Sequence, residues 1–244
     1  MGVEEAVLVL VGALAGGIVN GLTGFGTALT ALGIWLYAID PAVASSLVIL
    51  CSTASQLQTM HLIWRSISWR RVLTFILPGV VGVPIGTLLL PHIDPWLFKI
   101  VVGGFLVSYS TYVLARKIQI QSDWGGGAAD GIVGFFGGVL GGLAGLSGVL
   151  PVVWTDVRGW PKEQRRSVLQ TFNFAILGLA LVSHAVSGLV TRQVAVAAIV
   201  ALPGTISGAW LGAFIYRRIA DHSYQRVIMV LLLLSGLALI WTSL

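Results

Sequence analysis

Apolar blocks, each closed off by a short polar link, run through this chain from residue 6 to residue 243. An α-helix needs about 20 consecutive apolar residues to cross the hydrocarbon core of a bilayer. Six blocks reach that length: 43–62, 72–90, 97–115, 167–187, 194–215 and 225–243. Of the 244 residues 57% are hydrophobic and 9% charged, whereas soluble chains carry about 25% charged residues. No soluble fold hides so much apolar surface, so the chain reads as an all-α polytopic membrane protein with the lipid bilayer as its first partner. Its net charge of +5 reflects Lys and Arg gathered in cytoplasmic loops, and no nucleic-acid partner is expected. The start, MGVEEAVLVL, lacks the basic n-region of a secretory signal peptide. A lone cysteine, Cys51, excludes an internal disulfide and fits no metal-site spacing. It reads as a small packing residue, and neither metal nor cofactor is expected.

Two further apolar stretches, 6–39 and 130–154, fit no simple crossing. The first is long for one helix and short for two; the second holds a glycine cluster. Charge resolves them. Four links hold 12 of the 14 Lys and Arg residues: Arg65, Arg70 and Arg71; Arg116 and Lys117; Arg158, Lys162, Arg165 and Arg166; and Arg217, Arg218 and Arg226. The positive-inside rule makes these four cytoplasmic and the links near 91–96 and 188–193 external. Residues 130–154 therefore leave and re-enter the same side, and about 25 residues cannot make two full crossings. The segment is expected to turn back near Gly141–Gly148. A re-entrant backbone is tolerated only where protein or a water-filled cavity surrounds it. The same parity makes 6–39 a hairpin with the N-terminus outside.

The halves also match. GLTGFGT (21–27) lies over GLAGLSG (142–148) with three identities, and PGVVGVPIG (78–86) resembles PGTISGAWLG (203–212). Each half is then a glycine-broken hairpin plus three spanning helices: repeat one over 6–116, a cytoplasmic linker over 117–129, and repeat two over 130–243. An odd number of crossings inverts the second copy. The whole chain, 1–244, reads as one membrane transporter domain, because inverted repeats with broken helices at the midplane are a common secondary-transporter plan.

This arrangement resembles the sulfite exporter TauE/SafE family, also called the 4-toluenesulfonate uptake permease family. The resemblance rests on the paired segments NGLTGFGTAL and GGLAGLSGVL, on the two PG-led helices, and on the length. It implies movement of a small sulfur-containing anion, such as sulfite or an organosulfonate, across the bacterial inner membrane. Both termini are expected outside, and assembly as a homo-oligomer is compatible with the sequence.

No Lys or Arg falls at the centre of a predicted span, so backbone N–H groups at the breaks are the expected anion ligands. Gly21, Thr23, Gly24 and Gly26 are the candidates from one hairpin, with Asn20 orienting the break; Gly142, Gly145, Ser147 and Gly148 are those from the other. The alternative is that such glycines only permit close helix packing, the preferred reading for Gly82, Gly86, Gly204, Gly208 and Gly212. Ser52 and Gln56 share one polar stripe with Ser45 and Thr59, and Gln170 and Asn173 share another with His184 and Ser187. Polar faces at depth tend to line a cavity, though they also bond neighbouring helices. All nine Asp and Glu residues lie near segment ends, which leaves His184 as the titrating candidate for coupling.

Two rivals follow from the same residues. A passive anion channel can use the same backbone dipoles. GLSG (145–148) with His184 could form the serine–histidine dyad of a rhomboid-like intramembrane protease; Gly26, opposite Ser147, argues against a nucleophile. The hairpin has its own test. Single cysteines at Gly131 and Trp154, in a Cys51→Ser background, should both label from the cytoplasmic face, and labelling from opposite faces would make the segment a crossing.

Overall fold

The computed structural model describes residues 2–36, 38–92, 94–116, 125–219 and 221–241. Residues 117–124, most of the expected linker, lie outside the described residues. The described residues form ten α-helices and no strand. In chain order they are α1 (Val3–Thr23), α2 (Thr27–Trp35), α3 (Pro41–Thr59), α4 (Trp69–Leu89), α5 (Pro95–Arg116), α6 (Gly126–Ala144), α7 (Val149–Val157), α8 (Lys162–Val186), α9 (Arg192–Tyr216) and α10 (Asp221–Trp241). Five of them, α1, α4, α6, α8 and α9, are long and apolar enough to cross a membrane. α3 is not among these: serines and Gln56 lower its hydropathy, and those side chains are buried against neighbouring helices. It also stops at Thr59 and continues as two 3-10 turns, short of the expected end at 62.

Local signals explain several boundaries. Asp40 accepts from the Ala42 N–H at 2.8 Å and Pro41 opens α3, a strong N-terminal signature. α1 and α6 end where Gly24 and Gly145 enter the left-handed region, at φ +81° and +69°. Glycine takes that conformation without the clash a Cβ would cause. The hairpin arms are unequal, which the apolar stretches did not suggest. α6 begins at Gly126, four residues before the stretch, so a 19-residue arm is followed by a nine-residue one, about 28 and 14 Å long.

Each short arm folds back onto its long partner. Trp35 Nε1 donates to the Val9 carbonyl at 2.9 Å, and Trp154 Nε1 donates to Asp130 Oδ1 at 2.7 Å. Val9 and Asp130 occupy matching positions when GLTGFGT is laid on GLAGLSG. At the base of the second hairpin Arg158 adds bonds to Asp130 at 2.9 Å and to the Gly126 carbonyl at 2.7 Å.

The most extensive helix pairings are α1 with α9 and α4 with α6, followed by α5 with α10. All three pairings join the first five helices to the last five. Glycines make the first two possible. A Cβ on Gly21 would overlap the Ala209 carbonyl, and one on Gly212 the Ile18 carbonyl. Across the other seam Gly86 lies against Val139, Gly138 against Gly79, and Gly142 against Val83, again at carbonyl groups. Backbones this close gain dispersion contacts and Cα–H···O bonds that larger residues prevent. Gly82 and Gly208 are packed in the same way, and Gly204 sits against Leu10 and Ala13.

Gly86→Ala or Gly138→Ala should therefore cost about 1–3 kcal/mol by overpacking. Gly178→Ala, where no atom lies within 4 Å of a new Cβ, should be neutral or gain up to about 1 kcal/mol in helix propensity. Thermal unfolding of purified protein in detergent measures both.

Candidate functional site

A helix that ends inside a protein leaves its last carbonyls and its first N–H groups without intrahelical partners. Both breaks lie in the core, and side chains from α3, α4 and α8 meet the carbonyls. At the first break Arg166, fully buried, donates to the Leu22 carbonyl at 2.7 Å and to the Gly21 carbonyl at 2.8 Å. Its guanidinium lies 3.9 Å from the Tyr216 ring centroid, and its Nε donates to Gln170 Oε1 at 3.3 Å. The next carbonyl, of Gly24, accepts from Gln56 Nε2 at 2.9 Å and from Asn173 Nδ2 at 3.2 Å.

The second break is capped by different chemistry at matching positions. His184 Nε2 donates to the Gly142 carbonyl at 2.9 Å, where Thr87 adds a hydroxyl at 3.4 Å. Ser45 donates to the Leu143 carbonyl at 3.1 Å. Because a carbonyl only accepts, Nε2 of His184 carries a proton, and Nδ1 faces Ser46 Oγ at 3.0 Å.

Between the breaks lies a buried cavity of about 10 Å³, room for one water. Its wall brings together Asn20, Gly26, Ser52, Gln56, Gly145, Ser147, Gly148 and Asn173 from the expected set. Asn20 Nδ2 is held by Thr27 and Ser55, at 2.8 and 2.5 Å, and Ser147 Oγ donates to Asn173 Oδ1 at 2.6 Å. The beginning of α2 (Gly26 to Leu29) and of α7 (Ser147 to Val149) both form part of the wall. Two helix N-termini thus border one small space, and each carries the partial positive charge of its dipole. A more open depression of about 460 Å³, beside Glu5, Asp40 and Arg192, has no such convergence of backbone donors.

The other expected residues sit one step back. Thr23 closes its own turn by donating to the Phe25 carbonyl at 2.8 Å. Gly24 presents its carbonyl to Gln56 and Asn173. Gln170 donates to Thr59 Oγ1 at 2.9 Å and braces Arg166. Gly21 and Gly142 form the glycine seams and are not in the cavity wall, and His184 caps α6 outside it. Ser187 lies exposed beyond the end of α8, so the polar stripe of that helix stops at His184. The serine–histidine dyad is not assembled, since Ser147 is bonded to Asn173 while both His184 ring nitrogens are engaged elsewhere.

Arg166 went unrecognised in the sequence because it adjoins Arg165 in a run that reads as a cytoplasmic link. Both arginines instead lie in the first two turns of α8 and are buried. Arg165 pairs with Asp156 at 2.8 Å, and Tyr109 donates to the other oxygen of that carboxylate at 2.6 Å. The wall residues Phe25, Leu146 and Leu177 were equally silent, being ordinary apolar residues in an apolar chain.

Among the described residues ten packed helices, five of them apolar enough to cross a bilayer, with two breaks beside a polar cavity, mark a multi-pass membrane protein. The chain belongs to the family described as Sulfite exporter TauE/SafE, whose model matches residues 8–239. Membership makes it a transmembrane transporter of sulfite-type anions. No curated protein and no solved structure matches it.

Arg166→Met leaves two buried carbonyls without their donor and should cost about 3 kcal/mol. Arg166→Lys, which keeps one charged donor without the bidentate fork, should fall between. Thermal denaturation of the two variants beside the parent protein gives the ranking.

Proposed function

We propose that the chain is a secondary carrier that binds one small sulfur-containing anion, sulfite or an organosulfonate, between its two helix breaks and moves it across the bacterial inner membrane. The observation that carries this reading is the meeting of the α2 and α7 N-termini at one buried polar cavity. Helix N-termini bind anions through free N–H groups and the helix dipole. Thr27, Ala28 and Leu29 belong to the first turn of α2, where N–H groups have no intrahelical acceptor. Ser147 and Gly148 lead into α7, whose own first turn gives less, since Val149 donates to the Leu146 carbonyl at 3.2 Å and Pro151 has no N–H. Ser52, Ser147 and Asn173 complete the polar wall.

Each half is read as a re-entrant pair followed by three spanning helices, with the second half inverted relative to the first, both in one domain and with both termini outside. The matched Trp35 and Trp154 closures support the re-entrant pairs. The reciprocal seams, α1 on α9 and α6 on α4, support the inversion, since the first helix of each half packs on the fourth helix of the other.

Alternating access favours a carrier over a channel here. Sulfite has four heavy atoms, and a cavity with room for one water cannot admit it without movement. A site that must widen to load and to release fits a carrier's cycle.

Counterflow in proteoliposomes tests this. Vesicles loaded with unlabelled sulfite should accumulate labelled sulfite transiently above its equilibrium level. Uptake that only follows the downhill gradient would sink the carrier in favour of a channel. Ser147→Ala should retain counterflow with affinity lowered about tenfold, from one lost hydrogen bond and one orphaned amide oxygen.

A further inference from the structure

The cavity wall holds more than donors. Gln56 and Asn20 are each about 1% exposed, and both line it. The amide nitrogen of Gln56 is committed to the Gly24 carbonyl. The orientation of Gln56 follows, because a carbonyl can only accept. Asn20 meets only hydroxyls there, Thr27 and Ser55, each able to donate or to accept, so its amide is not oriented in the same way. Gln56 Oε1 is left as a buried acceptor with no partner among the described residues. A buried acceptor without a donor is costly, so this oxygen is met by a water in the empty site and by a donor of the ligand in the loaded one.

The wall therefore has two faces. One offers backbone N–H groups at two helix N-termini, and the other offers the Gln56 amide oxygen, which cannot donate. An oxyanion stripped of all protons matches the first and is repelled by the second. The charge points the same way. Each helix N-terminus is equivalent to about half a positive charge, so two balance about one negative charge and not two. Among the described residues no Lys or Arg is in the wall, and Arg166 is directed at the carbonyls of Gly21 and Leu22.

We infer that the site selects a sulfur oxyanion that keeps one proton, a hydrogensulfite-type monoanion. Its proton goes to Gln56 while its other oxygens take the N–H groups of the first turn of α2 and those leading into α7. The inference rests on the carrier reading above and names the protonation state of the substrate. It also accounts for the missing carboxylate at the centre of the spans. A carrier of hydrogensulfite moves a proton with each anion and needs no titrating side chain of its own for that proton.

Equilibrium binding of sulfite and of methanesulfonate to the purified protein, between about pH 6 and 9, decides the matter. Methanesulfonate is a monoanion throughout and carries no acidic hydrogen. Affinity for total sulfite should fall with the hydrogensulfite fraction, tending to tenfold per pH unit on the alkaline side. Methanesulfonate should bind about tenfold more weakly than hydrogensulfite, as expected for one missing donor, and with no pH dependence. Gln56→Met should bring hydrogensulfite and methanesulfonate to equal affinity in the same protein, read as the ratio of the two; the parent protein's two ligands decide even where that variant fails to fold. Sulfite affinity that is level or rises with pH, or methanesulfonate binding equal to hydrogensulfite, overturns the proton requirement and leaves the carrier standing. Binding of neither anion at any pH overturns both.

Discussion

Backbone carbonyls that end inside the core, out of reach of water, control most of what is distinctive in this protein. A continuous helix satisfies its own backbone, whereas a broken one must borrow partners. α1 and α6 both stop in the interior, and the carbonyls they expose at Gly21, Leu22, Gly24, Gly142 and Leu143 are each met by a side chain from another helix. That requirement ties α3, α4 and α8 to the breaks and leaves the opposite ends, the N-termini of α2 and α7, facing the cavity. The small polar cavity between the breaks is thus a consequence of how the carbonyl ends are capped.

The seams that hold the breaks in place are made of glycine. Along α1 with α9 and α4 with α6, backbone lies on backbone with no room for a Cβ. Apolar side chains gain little by associating in lipid, so close packing and weak Cα–H···O bonds supply the cohesion. Because both seams join the first half to the second, neither half completes its own core. Gly21 and Gly142 belong to these seams as well as to the sequence motif, and there the demand for close approach and the need for a break coincide in one segment.

The two breaks match in geometry and differ in chemistry. Arginine caps one; histidine, serine and threonine cap the other. The base of the second hairpin carries Asp130 and Arg158, whereas the matching position of the first offers only the Val9 carbonyl to Trp35. On the proposed carrier reading with inverted halves, the chemically unequal caps make its two related states unequal in energy.

Much of the fold was legible in the sequence. The six long blocks reappear as α3, α4, α5, α8, α9 and α10 with boundaries near those expected, because apolar length is a local property. The glycine pairs located the breaks, and Asp40-Pro41 marked the start of α3. Eight of the expected site residues share the cavity wall. Gly21, Gly142, Gln170 and His184 had the right neighbourhood and another task. The unequal hairpin arms and the tryptophan closures were invisible, since they depend on which residue of one helix lies beside which residue of another. Arg166 is the clearest case. Its charge assigned it to a loop, and only the packing of α8 against the end of α1 brings it to two orphaned carbonyls that make burial of a guanidinium tolerable. Sequence alone determined that this chain crosses a membrane and breaks twice at glycine, because hydropathy and backbone freedom belong to the residues themselves. Tertiary structure decided which polar atoms are satisfied and which remain for a ligand, because a hydrogen bond needs a partner that chain order does not specify.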